Sequence, residues 1–564
     1  MPSPWLINTW ANVSRNSHNM INLKPIPKPQ KWDAFQLNAG LDTVNNPIFL
    51  DKGKMTMAKN VVFYDTGWTR RNGMTLHGAS GSSNVNAIGA IKKESGDILV
   101  RCYGTAFQKY TGWVWTTVAW PVMTDIKATI VSFLDSDMTS AASKTGTATA
   151  TSTNRTLDDN AGGMTINAYA GKIILITSGT GSGQAKFITS NDLVTFYIEW
   201  LWETTPDATS VYAVRSAIPH VFVTNGTDSV FKYDGTTVTT FATMTKWNTL
   251  EVAHDRLWGA RQDLDYVYYS NLGTSYFQKD QNIEANPNGD VITRIKRNHE
   301  EIIVYKRNTR HRITGYDEDQ FQFSTAGETI GAIAQGSVAH GQNFNFFLGY
   351  GGIYMANSLD QSSLDEWLPI SKDINDQILA HSDAELLASE GWIDDNKYYL
   401  SVGSDVYVYD IIQSQITNSH VFSIHNYADN IRSAYVDSWI AYVGSTTKLY
   451  TLGGNTDNGT TIDVEVRSGR RAQGDKDAYK IYGVGLVSFS TPWATCNVTV
   501  AYSIEWGSYT SFTAQNVASD NTIRCPVNAR GKDIMYKYTY SYSGSTPPQF
   551  IMHEQFASKT TKPV

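Results

Sequence analysis

Short runs of aromatic and β-branched residues alternate with Gly, Asn or Asp along most of the chain. Residues 96–112 have this form, and so do the stretches that begin at His220, Ile302, Phe344 and Lys397. Two such runs on either side of a turn-forming residue are typical of a β-hairpin. The pattern therefore predicts a chain built mainly of antiparallel strands.

The hairpins recur along the middle of the chain. Between residues 221 and 439 they begin roughly 35–55 residues apart, which is the spacing of propeller blades. A single blade leaves both of its faces open, and packing blades around an axis covers them. An array of β-sandwiches would also contain hairpins, but here the period continues without a long linker. We therefore predict a β-propeller.

Two stretches break this period, and each has strand patterns of its own. We predict an all-β fold, a β-propeller with an inserted small β domain and a C-terminal β-sandwich domain. The predicted units are an extended N-terminal arm (1–34), first propeller strands (35–124), the inserted small β domain (125–214), remaining propeller blades (215–455) and the C-terminal β-sandwich domain (456–564). A disordered tail is the alternative for the arm, whose apolar Trp5 and Trp10 would gain from being covered. Helix is expected to be scarce, and the best candidate is 371–390, with a break around His381.

Composition and charge narrow the possible functions. Only 18% of the 564 residues are charged, and 46 basic against 53 acidic residues give a net charge of −7. A dedicated nucleic-acid reader needs an excess of Lys and Arg, so the balance argues against one but leaves open a wall past which DNA slides. The three cysteines have no disulfide or zinc spacing, and we predict neither cofactor nor metal. The chain start lacks signal-peptide features, and we expect no membrane-spanning segment.

Motifs for catalysis are weak throughout. The loop from Thr177 to Gln184 looks like a phosphate loop, but Gln184 stands where Lys is required, and a strand-like segment follows it. A hairpin turn is the simpler interpretation. Adjacent carboxylates such as Asp394 and Asp395 point to opposite faces of a strand, so they do not form a catalytic pair. The sequence therefore predicts a protein that is not an enzyme, although a lone Ser or Cys nucleophile stays open.

Basic residues cluster in two places. One cluster is Lys306, Arg307, Arg310 and Arg312, and the other is Arg467, Arg470 and Arg471. Such clusters commonly form a solvated face or salt bridges between subunits. The alternative is contact with passing DNA or with an acidic partner surface.

A more specific pattern lies near the N-terminus. It consists of Gly40, Leu41, Pro47, Asn60, Gly67, Arg70, Arg71 and Gly73. The segment resembles the opening of propeller-containing tail hub or nozzle proteins of tailed bacteriophages, except that Asn72 stands where Pro is expected. Segments 302–315, 346–354 and 369–374 resemble that family in the same order. The likeness covers residues 35–455 loosely, and its motifs are structural.

The resemblance implies a virion protein of the phage tail. It implies a homo-oligomeric ring of six copies that extends the portal or adaptor channel, retains packaged double-stranded DNA and conducts it during ejection. The expected neighbours are the portal or adaptor, other tail proteins and tail fibres, with no sequence-specific DNA binding. Two alternatives stay open: a glycan-degrading, sialidase-like propeller tail enzyme, and a host-receptor-binding tail module.

Overall fold

The computed structural model describes residues 31–559 with internal gaps. These gaps are residues 94–95, 120–121, 137–141, 200, 243, 262, 278–280, 286–288, 317, 328, 342, 358–367, 474–475, 491–495 and 518–520. Most of the predicted N-terminal arm, including Trp5 and Trp10, lies outside the described residues.

Strands make up most of the described chain, and seven of its small antiparallel sheets are arranged as propeller blades. From the innermost strand outwards, the first four blades are β6 (Val85–Ile91), β7 (Ile98–Tyr103), β8 (Ala106–Thr111), β9 (Val114–Thr117); β10 (Thr129–Ser136), β17 (Ala217–Thr224), β18 (Phe231–Tyr233), β19 (Val238–Thr240); β20 (Trp247–Ala253), β21 (Arg256–Arg261), β22 (Tyr266–Tyr269), β23 (Asn282–Glu284); and β24 (Ile292–Asn298), β25 (Glu301–Lys306), β26 (Arg310–Thr314), β27 (Gln322–Gly327). The last three are β28 (Ala339–Gly341), β29 (Phe344–Gly349), β30 (Gly352–Asn357); β31 (Glu390–Asp394), β32 (Lys397–Val402), β33 (Asp405–Asp410), β34 (Phe422–His425); and β35 (Ser433–Asp437), β36 (Ile440–Gly444), β37 (Leu449–Leu452), β5 (Met74–Leu76).

The innermost strands contact one another in order around a closed circle, from β6 through β10, β20, β24, β28, β31 and β35 back to β6. Buried apolar clusters fill the spaces between successive blades, as expected when each sheet has two faces to cover. One cluster contains Val100 of blade 1 and Val221 of blade 2, and another contains Trp258 of blade 3 and Ile302 of blade 4. Blade 7 takes its outer strand, β5, from the N-terminal part of the chain. The circle is therefore closed by a strand that is remote in sequence.

A small β unit rises from the hairpin of blade 2. Its strands are β11 (Lys144–Thr147), β12 (Thr156–Asp158), β13 (Ile173–Ser178), β14 (Ala185–Asn191), β15 (Thr195–Ile198) and β16 (Val211–Arg215). A buried cluster that includes Leu157, Ile174 and Phe196 forms its own core. The strands before and after it are paired, with Ser136 opposite Ala217. The unit is thus an insertion between two neighbouring strands of one blade.

Two further sheets form a β-sandwich. One contains β1 (Lys31–Phe35), β3 (Val61–Tyr64), β4 (Gly67–Arg70), β39 (Lys480–Phe489), β43 (Thr522–Gly531) and β45 (Phe550–Lys559). The other contains β2 (Met55–Lys59), β38 (Ile462–Ser468), β40 (Asn497–Ile504), β41 (Thr510–Ser511), β42 (Gln515–Asn516) and β44 (Ile534–Tyr542), and it continues into blade 6 where β2 pairs with β34. The sandwich core is continuous with buried side chains of blades 5 and 6, such as Phe346 and Tyr398.

Helix is scarce. The α-helices are α1 (Asn375–Ile378), α2 (Asp383–Leu387) and α3 (Ile411–Thr417), and 3₁₀ turns lie at Glu318–Gln320, Gln335–Ser337 and Lys372–Ile374. The predicted break around His381 separates α1 from α2, which Ser382 caps by accepting from the Glu385 amide. The all-β prediction of a propeller with an insert and a sandwich is confirmed.

The unit boundaries in the structure differ from the predicted ones in two respects. Strand β10 lies inside the segment predicted as the insert (125–214), yet it is the innermost strand of blade 2. Strand β1 lies at the end of the segment predicted as the arm (1–34), and β3 and β4 lie in the segment predicted as propeller (35–124). All three belong to one sheet of the sandwich, in which β1 and β4 pair with β45 and β3 pairs with β4. In both cases a strand pairs with a partner that is far away in sequence, and local pattern carries no signal for such pairing.

Candidate functional site

A cavity of about 410 Å³ lies on the propeller axis and is lined by the innermost strands of all seven blades. Its charged lining residues are Lys127, Arg294, Lys296, Glu251 and Glu390. Small-molecule sites in proteins commonly have volumes of roughly 300–1,000 Å³. This cavity therefore has the size and the polar lining of a binding site.

The first ion pair of the cavity joins Lys127 to Glu390. Lys127 Nζ lies 2.6 Å from Glu390 Oε2, and it also donates to the carbonyl oxygens of Ala388 at 3.1 Å and Ser389 at 2.6 Å. Lys127 precedes the inner strand of blade 2, whereas Glu390 begins the inner strand of blade 6. The pair therefore spans the axis between blades that are not neighbours.

The second ion pair joins neighbouring blades. Lys296 Nζ, on β24, lies 3.2 Å from Glu251 Oε2, on β20. The side chains of Lys127 and Lys296 are each 25% exposed to solvent. Since partly exposed ion pairs are screened by water, these pairs contribute little to stability by themselves. Their exposure also shows that solvent reaches the charged lining of the cavity.

Arg294 is the third cation of the cavity. Its Nη1 donates to Thr129 Oγ1 at 2.9 Å, and Gln335 Nε2 donates to the same oxygen at 2.9 Å. No carboxylate forms an ion pair with Arg294 among the residues that the structure describes. Burial lowers the pKa of His340, which also lines the cavity, so this imidazole is neutral at pH 7. Three cations therefore face two carboxylates, and the lining has a net charge of +1.

Two buried polar atoms in the lining have no hydrogen-bond partner in the part of the chain that the structure describes. Asn86 is 2% exposed, and its Oδ1 accepts from no group in the described chain, while its Nδ2 donates to Asp125 Oδ1 at 2.7 Å. Trp392 is 4% exposed, and its Nε1 has no acceptor there either. Buried polar groups are nearly always paired, so two atoms without a partner in the described chain are an unusual feature of this lining.

The structure places most of the predicted basic residues away from this cavity and away from solvent. In the first cluster Lys306 is fully buried, 2.5 Å from Asp265, and Arg310 is buried over the ring of Phe347. Arg312 is half-buried and donates to Ser324 Oγ at 3.0 Å, whereas Arg307 is exposed. Arg307 is therefore the member of this cluster that presents its charge at the surface.

The second basic cluster is also largely internal. Arg470 is buried 2.5 Å from Asp533, and Arg471 is buried over the ring of Phe35 at 4.6 Å. Arg467 is partly exposed beside Glu465. Isolated charges are costly to bury, and each buried guanidinium here is held by a carboxylate, a carbonyl oxygen or an aromatic ring. These arginines hold the sandwich together within one chain.

The residues of the N-terminal motif meet where the propeller and the sandwich join. Gly40 has φ of +81°, and a Cβ there would lie 2.7 Å from the Phe422 amide nitrogen. Leu41 is fully buried, and the Pro47 carbonyl accepts from the Arg470 amide at 2.8 Å. Because Gly40 faces blade 6 and Pro47 faces the sandwich, this segment contacts both parts.

Arg71 is the centre of that joint and is 1% exposed. It donates to both carboxylate oxygens of Asp457, at 2.9 and 2.6 Å, and to Asn60 Oδ1 at 2.9 Å. It also donates to the carbonyl oxygens of Asn426 and Asn72 and lies 4.0 Å from the centre of the Tyr427 ring. All five guanidinium N–H groups are therefore used, and Lys could not replace them.

The remaining motif residues fit against the sandwich. Asn60 has φ of 59° and donates from Nδ2 to the Asp463 carbonyl at 2.8 Å. Arg70 donates to the carbonyl oxygens of Tyr542 at 2.9 Å and Gly544 at 3.3 Å. A Cβ on Gly67 would overlap the Phe550 carbonyl oxygen, and one on Gly73 would overlap that of Thr456. We call this set of motif residues, together with Asp457, the joint.

Other sequence features take structural roles. The Thr177–Gln184 loop connects the antiparallel strands β13 and β14, as the predicted hairpin turn requires.

All three cysteines are buried, and burial raises the pKa of Cys525 to about 12. Within the described ranges, no group of three or more His, Cys, Asp and Glu side chains could hold a metal ion. No helix among these residues is long and apolar enough to span a membrane.

No protein-family model matches the chain, and no curated protein does. Solved structures do match it. The extracellular domain of a hybrid two-component system from B. thetaiotaomicron is 9% identical over 78% of this chain and 47% of that one, with a TM-score of 0.36. An exo-β-1,3-galactanase from Phanerochaete chrysosporium is 8% identical over 54% and 95%, with a TM-score of 0.23. A glycoside hydrolase family 43 arabinoxylan arabinofuranohydrolase from Bacillus subtilis is 11% identical over 84% and 79%, with a TM-score of 0.17.

These matches correct one prediction. The chain was expected not to be an enzyme, yet glycoside hydrolases stand among the structures that it matches. The fold does not set it apart from enzymes, so that prediction is wrong. At these TM-scores the likeness assigns no reaction, substrate or residue to the chain. The chain spans about half the length of the two-component domain.

Proposed function

We propose that this chain is a subunit of a bacteriophage tail hub or nozzle. In this proposal six copies form a ring below the portal or adaptor, and double-stranded DNA passes through the channel that the ring encloses. Tail fibres and other tail proteins are its neighbours in the virion. The proposal rests on the resemblance carried by the N-terminal motif.

The observation that supports the proposal is the role of those motif residues in the joint. Gly40, Gly67 and Gly73 lie where a Cβ would collide with backbone, and Arg71 uses every donor that it has. Such positions tolerate few other residues. This chain and the tail proteins that it resembles share these residues. We therefore expect those proteins to have the same joint between propeller and sandwich.

The joint suits a subunit that transmits force. Strand β2 pairs with blade 6 on one side and with sandwich strand β38 on the other, so the two parts share one sheet.

Head-to-tail contacts between identical subunits close into a ring when the rotation between them permits it. Two tryptophans at hairpin tips, Trp113 and Trp439, are 84% and 94% exposed, and aromatic residues are enriched at protein interfaces.

Sedimentation of the purified full-length chain tests this proposal. We expect a species of six chain masses at micromolar concentration, in equilibrium with smaller species on dilution. Sedimentation as one chain mass at every concentration tested would contradict it.

A second candidate function is degradation of a glycan at the axial cavity. One observation favours it: Glu251 and Glu390 enter the same cavity from blades 3 and 6. Glycosidases use two carboxyl groups that flank the scissile bond, one of them as an acid. Release of reducing ends from host polysaccharide is the measurement. We expect Glu251→Gln and Glu390→Gln each to abolish it, and hydrolysis that survives both changes would place the activity elsewhere or in a contaminant.

A further inference from the structure

The axial cavity carries an electrostatic imbalance that its own residues do not relieve. Lys127 and Lys296 are each neutralised by a glutamate, whereas the hydrogen bond that Arg294 makes within the described residues goes to a hydroxyl oxygen, that of Thr129. A positive charge that is half-buried and lacks a carboxylate attracts an anion. The cavity is therefore suited to a ligand with one negative charge.

The shape of the Arg294 guanidinium narrows the choice of anion. Its Nη1 is committed to Thr129, while its Nε, also buried, makes no hydrogen bond in the described chain. Nε and Nη2 form one edge of the planar group, and this edge matches the two oxygens of a carboxylate. A carboxylate is thus the anion that the free edge of Arg294 fits best.

The ligand must also satisfy neutral polar groups. Among the residues that the structure describes, Asn86 Oδ1 is a buried acceptor without a donor, and Trp392 Nε1 is a buried donor without an acceptor. A hydroxyl group donates and accepts, so hydroxyls on the ligand can serve both atoms. Trp392 is itself a lining residue of the cavity, and its indole stacks on the ring of Tyr399 with the ring centres 5.0 Å apart.

From these features together we infer that the axial cavity binds a carboxylated sugar residue, with the carboxylate on the free edge of Arg294 and the hydroxyls towards Asn86 and Trp392. The cavity, at about 410 Å³, is large enough for a small ligand of this kind. The inference concerns binding alone. It holds whether or not the chain assembles into a ring or cleaves a glycan.

Isothermal titration of the purified full-length chain with three probes tests the inference. The probes are glucuronate, glucose and inorganic phosphate. We expect saturable binding of glucuronate, at least about tenfold weaker binding of glucose, and no comparable binding of phosphate, because one charge-assisted hydrogen-bonded contact is worth about tenfold or more. Equal affinity for glucose would overturn the carboxylate assignment, and equal affinity for phosphate would mean a simple anion site.

Variants assign the binding to the cavity. Arg294→Gln should weaken glucuronate binding at least about tenfold. Trp392→Phe, which keeps an aromatic ring but removes the indole N–H donor, should weaken it severalfold. Arg307→Gln, at an exposed arginine outside the cavity, should leave it unchanged. If Arg294→Gln does not fold, Trp392→Phe provides the same test. Binding that neither cavity variant weakens, or no saturation by glucuronate at millimolar concentration, would overturn the inference.

Discussion

At the scale of single residues, the molecule depends on charges placed where water is excluded. Arg71 is the clearest case, because it joins three separate segments through five donors while being 1% exposed. A buried charge of this kind costs free energy unless each donor is satisfied. The joint is therefore sensitive to changes that would be harmless at the surface.

Removal of the Arg71 side chain should destabilise the protein strongly. Arg71→Ala leaves Asp457 buried without its partner, which we expect to lower the free energy of unfolding by about 3–5 kcal/mol. Urea denaturation measures this change. The control is Arg261→Ala, which removes a surface ion pair with Asp263 and should cost at most about 1 kcal/mol. Equal effects of the two substitutions would contradict the role given to Arg71.

Buried histidines should make stability depend on pH. Burial, with the nearby Arg71, lowers the pKa of His425 to about 3, whereas an unfolded chain has a His pKa near 6.5. Between these values the unfolded state binds the proton and the folded state does not. The free energy of unfolding should therefore fall, by up to about 1.4 kcal/mol per pH unit for this group, as pH decreases from 6.5 towards 3.

Urea denaturation at pH 7, 6 and 5 checks this dependence. His425→Gln keeps a donor for the Val61 carbonyl, which lies 2.9 Å from Nε2, and should make the decline with pH shallower. His299→Asn, at an exposed histidine, should leave the decline as it is. Burial also lowers the pKa of His553 to about 3. In the His425 variant, His553 should therefore still cause part of the fall in unfolding free energy with decreasing pH. An unchanged slope in that variant would exclude His425 as a source.

At the scale of elements, two connections join parts of the chain that are remote in sequence. Strand β5 completes blade 7, and strand β2 joins blade 6 to the sandwich. Both belong to the N-terminal segment, so this segment holds together the last blade, the propeller and the sandwich.

A Cβ at Gly67 should disrupt the contact between β4 and β45. Gly67→Ala places a methyl group on the Phe550 carbonyl, and we expect a loss of several kcal/mol of stability because backbone cannot move aside cheaply. Gly171→Ala is the matched control: its φ of +76° is strained for Ala, but no atom lies within 4 Å of the added methyl. That change should cost about 1–2 kcal/mol. Thermal unfolding of both variants measures the two losses of stability, and equal losses would contradict the predicted clash at Gly67.

The inserted unit should be removable. Ser136 and Ala217 are paired, so replacing residues 137–216 by Asn-Gly should close β10 and β17 into a tight hairpin. We expect the variant to remain folded, as judged by circular dichroism and a cooperative melt. Loss of folding would show that the insert supports blade 2. If the insert binds a host receptor, the variant should assemble but lose adsorption to cells, and unaltered adsorption would end that alternative.

At the scale of the whole molecule, sequence patterns predict local structure such as hairpins. Hairpins in blades 1, 4 and 6 are visible as paired apolar runs around Gly or Asn, and the insert and sandwich break the period. Local sequence patterns do not predict that β5 pairs with β37. They also do not predict that Arg71 contacts Asp457, which lies 386 positions away. The burial of Lys306 was also invisible, because its partner Asp265 lies in another blade. The axial cavity follows from closure of the circle, so no single segment predicts it.

Electron microscopy of the purified full-length chain tests the proposed function most directly. We expect rings of six subunits around an open central channel, with the same symmetry in most particles. Particles of single subunits at every concentration, or a closed assembly without a channel, would contradict it.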